Sequence, residues 1–509
     1  MRKRHLGIAL ALAGLASGVV TAVPAQATVG HPELAKLVKV KDIRGHLAAL
    51  EKIAKANGGN RASGQPGYDA SVDYVVKVLK RAGYRPQVLP FEFDYYEQQA
   101  PTVFEQTAPD PATYAEDAEG DFLTLEYSAE GDVTAPAAPV DTDQPDGLGS
   151  GCEADDFAGF PAGSIALIQR GGCNFSVKVA NAEDAGAVGA VIYQRPDVAG
   201  PVAGTLSGPV GIPVVGPTYE LGIGLVGKAK AGGVSLRIKT DVFHERRSSK
   251  NVIADTRLGN PGKKVVVGAH LDSVVEGPGI NDNGSGTATL LAMAQQIGKL
   301  GKKGLRNQVR FAWWGAEEGG LIGSNAYVAA LSEAELSTIA LNLNFDMLGS
   351  PNFARFVYDG DNSLGTPTVP PPGSAEIEKA FTDYFGKRGL ATEPTAFDGR
   401  SDYFAFINAG IPAGGLFSGA EGVKTAEQVP LYGGTAGEAY DKCYHSACDG
   451  LSNINWTGLD QLADGAAHVT QRFARSVEEV TGAGSARTMT LKKASAADTA
   501  DWRGGALIR

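Results

Sequence analysis

Cysteine is scarce in this chain. Cys152, Cys173, Cys443 and Cys448 are the whole set, and no two of them stand in a CxxC pair. Excess positive charge is also missing. Lys and Arg number 46 against 57 Asp and Glu, a net charge of −11. Such a balance leaves no electrostatic footprint for nucleic acid or an anionic membrane surface. Beyond the first residues, no stretch reaches the roughly 18 uninterrupted apolar residues of a membrane span. Glycine, by contrast, is abundant at 67 residues, which implies many tight turns. Charged residues at 20% and hydrophobic ones at 43% leave room for an ordinary globular core.

The chain opens on Arg2, Lys3 and Arg4, followed by the apolar run Leu6 to Val20 and the small residues of Ala25-Gln26-Ala27. This is the pattern of a secretory signal cleaved near Ala27. The rival reading, a membrane anchor, needs a longer run without Gly and Ser. Residues 1–27 hold no acid, so their loss takes the net charge from −11 to −14. An even cysteine count in an exported chain favours disulfides, and the order suggests Cys152–Cys173 and Cys443–Cys448. A zinc–cysteine site is the alternative, with spacing against it.

Helical periodicity marks residues 41–56 and a second helix from Ser71 to Gly83, with Gly58-Gly59-Asn60-Arg61 between them. Residues 86–94 read as a strand. Residues 100–149 are rich in Pro, Ala, Asp and Gly, a composition of long loops or a domain junction. From about residue 250, strands at 263–269, 309–314 and 339–345 alternate with helices. A long helix from Leu459 to Val480 closes the pattern. The fold class expected is α/β: a mixed, mostly parallel central sheet covered by helices. Residues 483–509 lose all periodicity and read as a tail, disordered or trimmed.

One stretch resembles the protease-associated domain, a small α/β insert found beside peptidase domains. The resemblance rests on Gly151-Cys152, Ile165 to Gly171, Cys173-Asn174-Phe175, Lys178, Ala185-Gly186-Ala187 and Ile212-Pro213-Val214-Val215. It implies an insert at 109–243 without chemistry of its own, flanked by peptidase segments at 28–108 and 244–482.

The residues able to do chemistry sit just beyond predicted strands, where ligands bind in open α/β sheets. They are His270 and Asp272, Asp282 in a Gly-rich loop, Glu317 and Glu318, Asp346, and His445 between two cysteines. The Gly-rich loop lacks the spacing and lysine of a nucleotide fingerprint. Nitrogen and oxygen donors of this kind suit Zn²⁺. Two imidazoles and three carboxylates satisfy two metals if one carboxylate bridges. The chain has only seven His, and two of them fall in this set.

The motifs carrying these residues resemble the zinc exopeptidases of the leucyl aminopeptidase and aminopeptidase Y type, including secreted actinobacterial members. They are His270-Leu271-Asp272-Ser273, Gly279 to Gly286, Trp314 to Gly319 with Gly323-Ser324, Asn344 to Met347, Phe397 to Tyr403, and Tyr444-His445-Ser446. The resemblance implies that His270 and Asp346 hold one zinc, Glu318 and His445 a second, and Asp282 bridges them. Glu317 would be the general base. Asp272 would orient the His270 ring. Tyr444 would donate to the tetrahedral intermediate. Arg400 would lie at the substrate site, and Phe417 would line the side-chain pocket. The bond from Asp282 to Asn283 would be cis. Asp460 and Asp464 resemble part of a calcium site, and a solvated acidic face is the alternative there.

The expected activity is removal of N-terminal, preferably bulky apolar, residues from peptides or proteins with a free N-terminus. The expected state is a monomer holding two Zn²⁺, and Ca²⁺ if the acidic pair binds it. A carboxypeptidase or dipeptidase on the same fold, and a catalytically silent binding protein, are the alternatives.

Overall fold

The computed structural model describes residues 32–117, 120–142, 149–206, 208–366 and 368–482. The expected signal segment and C-terminal tail lie outside the described residues. A short helix, Leu34–Leu37, and two longer ones, Val40–Ala56 and Pro66–Arg81, come first among the described residues. The last of these begins five residues earlier than its apolar spacing suggests. Pro66 occupies the first turn, where a missing N–H costs nothing.

Fourteen strands among the described residues form one hydrogen-bonded sheet. In chain order they are β1 Gln87–Ala108, β2 Ala112–Tyr114, β3 Phe122–Thr124, β4 Gly131–Pro139, β5 Ile165–Gln169, β6 Gly189–Tyr193, β7 Val214–Pro217, β8 Ser235–Asp255, β9 Asn260–His270, β10 Asn307–Trp314, β11 Ile339–Phe345, β12 Phe356–Tyr358, β13 Glu393–Thr395 and β14 Ala413–Phe417. The path runs β13-β12-β14-β11-β9-β10-β8, then on through β4-β5-β6-β7-β3. The four central strands β14, β11, β9 and β10 are mutually parallel. The flanking β12 and β8 run against their neighbours. The sheet is therefore mixed and mostly parallel at its centre.

Residues 100–149 are not mainly loops. β1 continues to Ala108 and pairs antiparallel with β8 from Gln87↔Ile253 to Ala108↔Ser235. This ribbon joins the two halves of the sheet: β8 pairs with β10 through Val252 to Asp255 and with β4 through Ser235 to Thr240. Pro101 and the alanines hid the rest of the strand, because only five of its 22 positions are buried.

Side-chain alternation on the central strands sends residues to two cores. Val265, Val267, Phe311, Trp313, Leu341 and Leu343 pack on one face with helices Gly284–Ile297 and Trp456–Arg475. Val266, Ala312 and Trp314 pack on the other, with Tyr327 and Phe406 from helices Ile322–Ala330 and Tyr403–Asn408. Strands covered on both faces read as continuous apolar runs, as Val265-Val266-Val267 does. The insert has its own cores on either side of β5 and β6.

Candidate active site

The chain leaves β9 at His270 with β10 on one side and β11 on the other. The helix after β9 covers one face and the helix after β10 covers the opposite face. At such a reversal the loops diverge and leave a crevice at the carboxyl ends of the strands. His270 ends β9, Glu317 and Glu318 follow β10, and Asp346 follows β11. Asp282 sits just before helix Gly284–Ile297, whose first turn is capped by Asn283 accepting the Gly286 N–H. A Cβ on Gly286 would meet the Phe345 carbonyl oxygen at 2.2 Å, so only glycine lets this loop lie against β11.

The geometry sorts these residues into two groups that share one member. His270, Asp282 and Asp346 have ligand atoms within 4.8 Å of one another, and so do Asp282, Glu318 and His445. Oδ1 of Asp282 lies 3.1 Å from Nε2 of His270, while Oδ2 lies 3.2 Å from Nε2 of His445. Oδ1 of Asp346 is 3.2 Å from His270, and Oε2 of Glu318 is 3.0 Å from His445. Glu317 belongs to neither group and stands 3.8 Å from Nε2 of His270. Asp272 lies 3.5 Å from Nδ1 of His270, beyond an ordinary hydrogen bond, and accepts the Glu317 backbone N–H at 3.3 Å.

Burial concentrates negative charge here. It raises the Glu317 carboxyl well above its usual range, opposed by His270 and reinforced by Asp346. It also raises Glu318, against the pull of His445. Burial works against the His270 imidazolium, yet the carboxylates of Asp346 and Glu317 outweigh it and lift His270 well above its usual value. Two imidazoles do not balance this many buried carboxylates, whereas divalent cations would. Oε1 of Glu318, buried and with no hydrogen-bond partner among the described residues, is a further open donor atom. The donor set therefore fits zinc.

The surrounding loops hold these groups in unusual backbone states. Ala316, Met347 and His445 all adopt positive φ, at 53°, 49° and 53°. Such residues persist only where neighbours over-determine them, and all three lie beside or within the two groups. The Asp282–Asn283 bond is cis. The two cysteine pairs are disulfides, with S–S distances of 2.04 Å for Cys152–Cys173 and 2.03 Å for Cys443–Cys448. The zinc–cysteine alternative is thereby removed.

Tyr444 stacks on His445 with ring centroids 3.8 Å apart, and Nη2 of Arg400 donates to its hydroxyl at 3.3 Å. Arg400 is also paired with Glu421 through bonds of 2.6 and 3.1 Å. Phe417 ends β14 and lines the same cleft as Asp346, Met347, Tyr358 and Arg400. Asp460 and Asp464 lie on the last long helix, away from both groups. Among the described residues no third His, Cys, Asp or Glu joins them.

Several supporting residues take no role from the sequence alone, although Ser401 and Asp402 lie within the Phe397 to Tyr403 motif. Arg61 is fully buried and donates to the carbonyls of Leu271, Pro278 and Gly279, clamping the loop between His270 and Asp282. Ser401 donates to Oδ2 of Asp346 at 2.6 Å and accepts from Asn344 at 2.7 Å. Asp402, buried beside them, is pushed up to about 7 by desolvation, opposed by His270 and reinforced by Asp346. Arg61 stood in what reads as a plain Gly-rich turn. A buried arginine at such a position is visible only once the loop it serves is in place.

A mixed sheet, parallel at its centre, with two carboxylate–imidazole groups at its switch point is built to hold metal ions. Residues 251–470 match Peptidase family M28, and residues 133–225 match the PA domain. An aminopeptidase of Pseudomonas aeruginosa is 48% identical over 481 residues, covering 91% of this chain and 87% of its own. Leucine aminopeptidase 2 of Trichophyton tonsurans is 39% identical, covering 94% of each chain. Among solved structures, a zinc aminopeptidase from Bacillus subtilis is similar with a TM-score of 0.56 at 26% identity, covering 87% of this chain and 96% of that one. The chain belongs to peptidase family M28 and is an aminopeptidase of that family, with a PA domain inserted.

Proposed function

We propose that this aminopeptidase is an exported dinuclear zinc enzyme that removes bulky apolar N-terminal residues from peptides. One observation carries the reading: the two oxygens of Asp282 face two different histidines, each with a carboxylate of its own. A single metal does not need that bridging arrangement.

His270 and Asp346 would hold one ion, Glu318 and His445 the other, and Asp282 both. Bound zinc would supply Lewis acidity toward the scissile carbonyl and an activated water. Glu317, outside both groups, is placed to take a proton from the attacking water and deliver it to the leaving amine. Tyr444 supplies a hydroxyl for the developing oxyanion, and Arg400 holds that hydroxyl in place. Phe417, Met347 and Tyr358 offer an apolar wall for the first side chain, and the carboxylates of the cleft suit the substrate ammonium. A carboxypeptidase needs a free cation for the substrate carboxylate. Arg400 is already paired with Glu421, which favours the aminopeptidase.

Two disulfides accord with an oxidising compartment. No helix among the described residues is long and apolar enough to cross a membrane. Phenanthroline should abolish turnover of leucyl-p-nitroanilide, and added Zn²⁺ should restore it at about two ions per chain. Acetylating the amine of a leucyl peptide should remove nearly all cleavage. Equal cutting of free and acetylated peptides would overturn the aminopeptidase reading, and full activity without metal would overturn the zinc one.

A further inference from the structure

We propose that Glu421 is a positioning residue that also sets charge specificity. It holds Arg400 on the Tyr444 hydroxyl, and it cancels the charge that would otherwise admit an acidic first residue. The inference rests on the aminopeptidase reading above. Three loops meet here. Arg400 follows a turn at Asp398, whose Oδ1 accepts the Arg400 N–H at 3.1 Å and the Tyr403 hydroxyl at 2.8 Å. Glu421 comes from the loop after β14, and Tyr444 from the loop that carries His445. The guanidinium donates to both oxygens of Glu421, Nη1 to Oε1 at 2.6 Å and Nη2 to Oε2 at 3.1 Å. Nη2 also donates to the Tyr444 hydroxyl at 3.3 Å. Two-point pairing with a carboxylate fixes the plane of a guanidinium, which a single bond to a hydroxyl does not. Glu421 thereby sets the direction in which Arg400 meets Tyr444.

The backbone around Glu421 is bonded to the chain that leads into Tyr444. The Ala420 carbonyl accepts the Asp441 N–H at 2.8 Å, and the Gly422 carbonyl accepts the Tyr440 N–H at 2.8 Å. Val423 and Ala439 continue this antiparallel pairing. Gly419, two residues before Glu421, takes a φ of 97°, and a Cβ there would meet the Tyr440 ring at 2.3 Å. Only glycine lets the two segments lie so close. Glu421 and Tyr444 are therefore carried by one hydrogen-bonded unit, and Arg400 reaches into it from a third loop.

Charge sets the selectivity. Arg400 lines the lobe of the cleft that Tyr358 and Phe417 wall for the first side chain. A lone cation there would draw a glutamate side chain into the pocket. Paired with Glu421, Arg400 brings no net charge to it. Asp398 lines the same lobe, so the balance facing an acidic first residue is repulsive.

The test measures kcat and KM of the zinc-loaded enzyme on leucyl, glutaminyl and glutamyl p-nitroanilides. Glutamine and glutamate share a shape and differ in charge. The wild type should prefer the glutaminyl substrate. Glu421→Gln should shrink that preference by about tenfold, a modest effect for one like charge removed from a half-buried site. It should also lower kcat on the leucyl substrate by about tenfold with KM nearly unchanged, less than the loss of an oxyanion donor itself. Adding Arg400→Gln to Glu421→Gln should restore the glutaminyl preference, because the attraction for acid runs through Arg400. Melting temperatures check folding, and Glu421→Ala repeats the comparison if Glu421→Gln does not fold. A glutaminyl-to-glutamyl ratio or a leucyl kcat that the variant leaves intact overturns the proposal, and so does a gain on the glutamyl substrate that survives the loss of Arg400. A wild type unable to cut any free-amine substrate would instead overturn the aminopeptidase reading, and this assignment with it.

Discussion

Asp449 accepts the backbone N–H of Asp282 at 3.0 Å. It also accepts hydrogen bonds from the Asn281 N–H at 2.8 Å and from the Asn453 side-chain amide at 3.2 Å. The residue follows the Cys443–Cys448 bridge, so the loop carrying His445 is tied directly to the loop carrying the shared carboxylate. Replacing Asp449 by Asn turns one acceptor oxygen into a donor facing donors. An unsatisfied buried group of this kind costs about 1–3 kcal/mol. Asp449→Asn should lower the melting temperature and weaken zinc retention in a chelator titration, with excess Zn²⁺ recovering part of the turnover. Unchanged zinc retention would show that the tie between the two loops does not matter for metal binding.

Glu317 and Glu318 are neighbours in sequence with different surroundings. Glu317→Ala should keep about two zincs per chain and lose roughly 10²–10⁴-fold in kcat, the usual contribution of a general base. Glu318→Ala should lose one zinc, and added Zn²⁺ should rescue part of the activity. Metal analysis of the two purified variants decides the matter, and the reverse pattern means that the roles are exchanged.

Phe417 ends β14 and stacks on Phe356 with centroids 6.0 Å apart. If it walls the pocket for the first side chain, Phe417→Ala should cut the preference for leucyl over alanyl substrates by about tenfold, in the range of a lost apolar contact. Equal losses on both substrates would remove Phe417 from specificity.

Burial, reinforced by Asp460, raises Asp464 from an ordinary 3.8 to about 6. A raised acid favours the folded chain while it is protonated there. Its stabilising contribution is complete below the unfolded value and is lost as pH climbs through the folded one. Asp464→Asn should therefore melt higher than the wild type at pH 7, and the difference should shrink by pH 5. If this pair binds calcium, millimolar Ca²⁺ should raise the wild-type melting temperature and leave the variant unmoved. An equal response of the two proteins would rule calcium out at this place.

Strand-end placement and donor chemistry were legible in the sequence. Apolar runs such as Val265-Val266-Val267 announce strands buried on both faces, with His270 at the end of β9 and Asp346 just beyond β11. The insert was legible through its resemblance to the protease-associated domain, and the start of β1 through residues 86–94, whereas the continuation of β1 to Ala108 was masked by Pro101 and the alanines. Local pattern carries no information about which distant loop will lie against a given side chain. Only the folded chain set Arg61 under the carbonyls of Leu271 and Gly279, Asp449 under Asp282, and Ser401 against Asp346. Each of these is a polar residue in a stretch with no periodicity, whose role comes from contacts tens or hundreds of residues away. The residue types able to bind metal follow from the sequence. Their spacing to within a few ångströms follows from the packing of loops that meet only in three dimensions.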